Sequence, residues 1–172
     1  MNNITILEGQ QLILKVLKDL NCSPHIIEHS KAVSKKARAL SQRFEVDLKL
    51  IEMGSILHDV GRSKTNNISH GIVGADILKK LGFSQEIVNI TEKHIGAGIP
   101  KEEAVLLGLP FRDFLPLTME EKIVAHADNL IHGTKEIEID FVIDKWKMNL
   151  GNYKPSLERL IKLHQEIVGN YG

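Results

Sequence analysis

The sequence predicts an all-α fold of roughly seven to nine helices, on three observations. Apolar residues recur at spacings of three and four along most of the chain, as in Leu12, Ile13, Val16, Leu17 and Leu20 or in Ile123, Val124 and Ala127. Helix-start signals stand before these segments: Ser23-Pro24, Asp47, Ser69, Ser84 and Thr118-Met119-Glu120-Glu121. No alternating stretch is long enough to suggest a strand of consequence, and there are neither repeats nor low-complexity tracts.

With 172 residues the chain is of ordinary single-domain size. Folding would bury about two thirds of the surface its unfolded form exposes. One domain over residues 1–172 is expected, with a core at 24–132 and packing helices in 1–22 and 133–172. Lysine plus arginine (22) balances aspartate plus glutamate (22), so no general field holds a polyanion and stable nucleic-acid binding is not expected. The one cysteine, Cys22, forms no internal disulfide. No segment approaches the ~20 apolar residues of a membrane span. The polar start MNNITILEGQ does not resemble a signal peptide, so a cytoplasmic protein is expected.

The first amphipathic helix runs from about Leu7 to Leu20, and the second opens at Ser23-Pro24 and runs to about Phe44. The second places Ile26, Val33, Ala37 and Leu40 on one stripe, with His29 close to it as either a satisfied core group or a ligand. Asp47 caps a third helix carrying Leu50, Ile51, Gly54 and Leu57 into His58-Asp59, with Gly61 as a stop that lets the backbone turn away. A polar loop, Arg62 to Asn67, follows. Ser69 opens a helix to Leu81 with His70 in its first turn, where a cation gains nothing from the dipole and a neutral inward imidazole is expected.

Ser84 starts a helix that His94 closes, beside the small-residue loop Gly96 to Pro100. A short helix, Glu102 to Leu107, precedes the proline-broken apolar segment 109–117, a candidate lid or pocket wall. The helix after Thr118 carries Ile123, Val124, Ala127 and Ile131, and places Asp128 mid-helix near its inner face. An aspartate there is unfavourable unless paired or bound to a cation. Helices from about Asp140 to Leu150 and Ser156 to Val168 supply Phe141, Trp146, Leu157, Leu160, Ile161 and Ile167 as core cover.

His29, His58, Asp59, His70, His94 and Asp128 thus stand at ends or inner faces of different helices. Four imidazoles and two carboxylates suit Mn²⁺, Fe²⁺, Co²⁺ or Mg²⁺ better than a structural zinc, which favours thiolates. Six ligands allow two ions if one carboxylate bridges them.

The ordered residues His29 in His-Ser-Lys-Ala-Val, His58-Asp59 in Leu-His-Asp-Val-Gly and Asp128 in Ala-Asp-Asn resemble the HD superfamily of metal-dependent phosphohydrolases, over about Pro24 to Ile131. The resemblance implies that His29, His58, Asp59 and Asp128 hold a first metal. It also implies that His70 and His94 are the extra histidines of the two-metal branch, with Asp59 bridging. The helix His70-Gly71 to Gly74-Ala75 and the lone His94 are nearest in pattern to the small bacterial diadenosine tetraphosphate hydrolases. Similarity to cyclic-dinucleotide phosphodiesterases is weaker, because Ile95 stands where they carry a second histidine. Arg62, third after Asp59, matches a basic residue of some phosphodiesterase relatives and implies a phosphate contact.

The expected reaction is hydrolysis of a phosphoester or phosphoanhydride bond in a nucleotide-like substrate by a metal-bridged hydroxide, with Asp59 and Arg62 as catalytic residues. Arg62 would bind substrate, and Lys64 is either a second phosphate contact or a solvated lysine. His25 and His132 are expected at the pocket rim, and His126 and His164 as structural or exposed residues. With few aromatic residues, a nucleobase is expected to rest against apolar side chains of 109–117. The alternatives are a one-metal nucleotidase or phosphomonoesterase, and a non-catalytic nucleotide-sensing domain. A homodimer is compatible with the sequence.

Overall fold

The computed structural model describes residues 6–150 and 154–169, so the extreme N-terminal residues read above as carrying no signal peptide lie outside the described part. Among the described residues there are nine α-helices: α1 (Ile6–Asp19), α2 (Pro24–Ser41), α3 (Leu48–Leu57), α4 (His70–Lys80), α5 (Gln85–Lys93), α6 (Lys101–Leu106), α7 (Met119–Asn129), α8 (Ile139–Leu150) and α9 (Lys154–Val168). A 3-10 turn, Val60–Ser63, follows α3. Two short strands, β1 (Ile131–His132) and β2 (Lys135–Glu136), pair antiparallel after α7. The chain is all-α.

Three of the predicted start signals cap as expected. Ser23 Oγ accepts from Ile26 N at 3.4 Å, Asp47 Oδ1 from Leu50 N at 3.0 Å and Thr118 Oγ1 from Glu121 N at 3.2 Å. Glu121 reaches back to Leu117 N at 2.6 Å, one residue beyond the usual capping-box target. Ser69 and Ser84 make no such side-chain bond.

Two apolar clusters organise the packing. In one, Val33, Ala37, Ile51, Ile90, Ile123, Val124, Ala127, Leu160 and Ile167 join α2, α3, α5, α7 and α9. In the other, Ile13, Leu17, Ile27, Ile56, Leu57, Val60, Leu78 and Val88 join α1 through α5. Leu12, Phe141 and Ile161, expected inside, are exposed. Each lies on a helix whose buried face is made by a neighbour at helical spacing: Ile13 and Leu17, Val142, and Leu160.

Two glycines set how closely the site-bearing helices meet. A Cβ on Gly54 would fall 2.6 Å from Ile90 Cδ1, so α3 and α5 pack more tightly than any side chain there permits. A Cβ on Gly61 would fall 1.9 Å from the His70 carbonyl oxygen and 2.6 Å from Gly74 N. Gly61 has no positive φ. Its role is therefore close approach to the start of α4, beyond the simple helix stop the sequence suggests.

Candidate metal centre

The fold brings all six predicted donors to one place. His58 and Asp59 leave the end of α3, His29 comes from the first half of α2, His70 opens α4, His94 follows α5, and Asp128 lies in the last turn of α7. Helix α7 stops at Asn129, so Asp128 is not mid-helix as its sequence context suggests, and Ile131 belongs to β1. His58, Asp59, His70 and His94 are buried, while His29 and Asp128 are partly accessible.

Each imidazole is held by its Nδ1. The acceptors are backbone carbonyls: Gly133 for His29 (2.7 Å), Ser55 for His58 (2.6 Å), Asn67 for His70 (2.8 Å) and Thr91 for His94 (2.7 Å). A carbonyl oxygen only accepts, so each Nδ1 carries a proton and each ring turns its Nε2 inward. This is the orientation that metal-ligating histidines adopt.

Asp59 stands between two sets of these nitrogens. Its Oδ1 lies 3.1 Å from His70 Nε2 and 3.5 Å from His94 Nε2, while Oδ2 lies 3.7 Å from His58 Nε2 and 3.9 Å from His29 Nε2. Asp128 Oδ1 approaches His29 Nε2 at 2.9 Å and His58 Nε2 at 3.4 Å. Within each of three triplets the donor atoms lie within 4.8 Å of one another: His29, His58 and Asp59; His58, His94 and Asp128; Asp59, His70 and His94. Arg62 Nε donates to Asp59 Oδ2 at 2.8 Å.

This donor set fits a cation. His58 Nε2 and Asp59 Oδ1 are buried without a hydrogen-bond partner, and a polar atom so placed is unfavourable unless something positive meets it. Burial pushes the Asp59 carboxyl up, but His58, His70 and His94 outweigh it and hold it well below the usual carboxylate range. Burial is likewise outweighed at Asp128 by His29 and His58. Burial also disfavours charge on His58, yet Asp59 and Asp128 raise it to about 9. His94 is pushed down, chiefly by burial.

Three of the six donors, His29, Asp59 and Asp128, line an open cleft of about 490 Å³. His25, His29, Asp59, Arg62, Asp128, His132, Lys145 and Trp146 are among its lining residues, so His25 and His132 do reach the rim. Lys64 is exposed and not among the lining residues, because the 3-10 turn directs Arg62, two positions earlier, at Asp59. Residues 109–117 do not line the cleft either. They pack Leu109 and Phe114 against Ile99 and Ala104 on another side, and α8, expected only to cover the core, forms the wall. Asn66, predicted to be simple solvated loop, also lines it.

His126 and His164 are both buried and pair at 2.9 Å (Nε2 to Nδ1), away from the cluster. Burial first, then His164 and Lys36, pushes His126 down to about 3.

A helical domain with a buried histidine and aspartate cluster able to hold a divalent metal is the class defined by this geometry. The chain belongs to the HD domain family, whose profile matches residues 26–132. It is 54% identical over 159 residues to an uncharacterized protein of Methanocaldococcus jannaschii, covering 90% of this chain and 94% of that protein. It is 41% identical over 162 residues to the tRNA (cytidine(56)-2'-O)-methyltransferase of Thermoplasma volcanium, covering 94% of this chain and 47% of that protein. The chain therefore spans about half the length of that methyltransferase. In fold it is similar to the HD domain of the L. monocytogenes phosphodiesterase PgpH in complex with cyclic-di-AMP, with a TM-score of 0.58 and 18% identity over 93% of this chain and 98% of that one. None of these relatives is a diadenosine tetraphosphate hydrolase, and the finer likeness drawn from the His70 helix finds no support among them.

No helix among the described residues is long and apolar enough to cross a membrane.

Proposed function

We propose that this chain is a metal-dependent phosphohydrolase acting on a phosphoester or phosphoanhydride bond of a nucleotide-like substrate, with two divalent ions held by His29, His58, Asp59, His70, His94 and Asp128. The observation that carries this reading is the position of Asp59, one oxygen turned to His29 and His58 and the other to His70 and His94. Divalent ions held there supply Lewis acidity toward a phosphoryl oxygen and an activated water at neutral pH.

The chain's own residues do the rest. The four backbone carbonyls fix each ring so that little reorganisation accompanies reaction. Arg62 holds Asp59 through Nε, which leaves its terminal nitrogens to meet a phosphate oxygen in the cleft. The structural neighbour, a phosphodiesterase domain solved with a cyclic dinucleotide, supports a nucleotide as substrate class. A dimer and a cytoplasmic location belong to the same reading.

Metal analysis of the purified protein, with assays against phosphomonoesters, cyclic nucleotides and dinucleoside polyphosphates in Mn²⁺ or Fe²⁺, tests it. Turnover dependent on added metal is expected. Metal bound without turnover of any of them would leave a nucleotide-sensing domain.

The similarity to a tRNA methyltransferase favours a second reading, in which the domain serves an RNA-modifying protein. Methyl transfer to tRNA by this chain, measured with a labelled methyl donor, would establish it in place of hydrolysis.

A further inference from the structure

We infer that Trp146 is the platform for the base of the substrate, so that the cleft takes one nucleoside unit with its phosphate directed at the histidine and aspartate cluster. The inference rests on the hydrolase reading for the phosphate end and deepens it at the other.

The cleft offers both kinds of contact: Asp59, Asp128 and Arg62 line it together with the apolar Ile131, Val142 and Trp146. Trp146 is the only tryptophan in the chain and is half-buried, with part of its ring against the core and part left to the cleft. Its ring is backed by main chain, since a Cβ on Gly96 would fall 2.8 Å from Trp146 Cη2. Gly96 has φ +62°, so any other residue is disfavoured there on two counts.

That backing is tied to the cluster. The Gly96 carbonyl accepts from Asn129 Nδ2 at 2.9 Å, Asn129 follows Asp128, and Gly96 lies two residues after His94. The ring is thereby held at a set position relative to two of the proposed ligands. A rigid, partly accessible indole beside aliphatic side chains offers an aromatic base a stacking surface, and offers a sugar phosphate alone none. A single ring of this kind suits one base.

The lone tryptophan is also the reporter. The full chain, supplied with Mg²⁺, is titrated with AMP and with ribose 5-phosphate while tryptophan emission is followed. AMP is expected to quench the emission and ribose 5-phosphate to leave it nearly unchanged at equal occupancy. By calorimetry, Trp146→Phe should weaken AMP at least about fivefold, with metal per chain unaltered, since phenylalanine stacks over a smaller face. Equal responses to the two ligands, or unaltered AMP affinity in Trp146→Phe, would overturn the inference. AMP-specific quenching in a protein that turns over no phosphoester supports the base platform and removes only the hydrolase reading. The wild-type titration does not depend on the variant folding.

Discussion

His70 and His94 bring their Nε2 atoms to 3.2 Å although each ring has committed its Nδ1 proton to a backbone carbonyl. Two lone pairs at that separation repel unless a cation or a shared proton lies between them. Both nitrogens also face Asp59 Oδ1.

Removal of either ring should therefore be felt as lost metal. For His70→Ala or His94→Ala, metal per chain is expected to fall by about one. Hydrolysis should fall by more than the ~10–100-fold that loss of an outer partner of a metal ligand brings. Elemental analysis and steady-state kinetics check both. Activity that survives with one metal bound would identify a one-metal nucleotidase.

Gly61→Ala is expected to damage the same site without touching a donor. The added methyl meets the His70 carbonyl at 1.9 Å, so α4 must retreat and take His70 away from Asp59. Overpacking of this kind destabilises by about 1–3 kcal/mol. Denaturant unfolding should show that loss together with weaker metal binding, and an unchanged metal affinity would show that α4 does not move.

Arg62→Ala should separate binding of metal from chemistry. With the guanidinium gone, Asp59 keeps its histidines while the phosphate loses a donor. The expected loss in kcat is roughly 10²–10³-fold, the range for one donor to a developing oxyanion. Metal content, measured alongside, should stay near wild type. If it drops equally, Arg62 acts by holding Asp59 in place and not on the substrate.

Protons and metal should compete in a direction that can be read. In chelator-treated protein, burial opposes charge on His58 but Asp59 and Asp128 raise it to about 9, above the ~6.5 of an unfolded chain. A raised value means stability that is full below about 6.5 and is lost as pH rises through 9. Thermal unfolding of the chelated protein should therefore decline over that window. Metal affinity should change the opposite way, weakening as pH falls, since the imidazoles must shed protons to bind. Chelated stability that rises from pH 6.5 to 9 would contradict the arrangement around His58.

The helices were legible because their cause is local. Apolar spacing in α1, α2, α5 and α9 and the caps at Ser23, Asp47 and Thr118 act within a few residues. The identities of the converging side chains were legible for a related reason: His58-Asp59 at a helix end and histidines on otherwise apolar faces stand out against what a core needs.

Other features depend on which surfaces meet, which periodicity does not encode. Trp146 reads as core cover, and becomes part of a cleft wall because α8 lies beside β1 and the end of α7. Segment 109–117 reads as a lid and packs on another side. Gly61 reads as a helix stop and is the point of contact between two backbones. Hydrophobic spacing determines which face of a helix leaves water. The partner for that face is chosen by shape and volume across the whole chain, and a cleft between helices exists only once those choices are made.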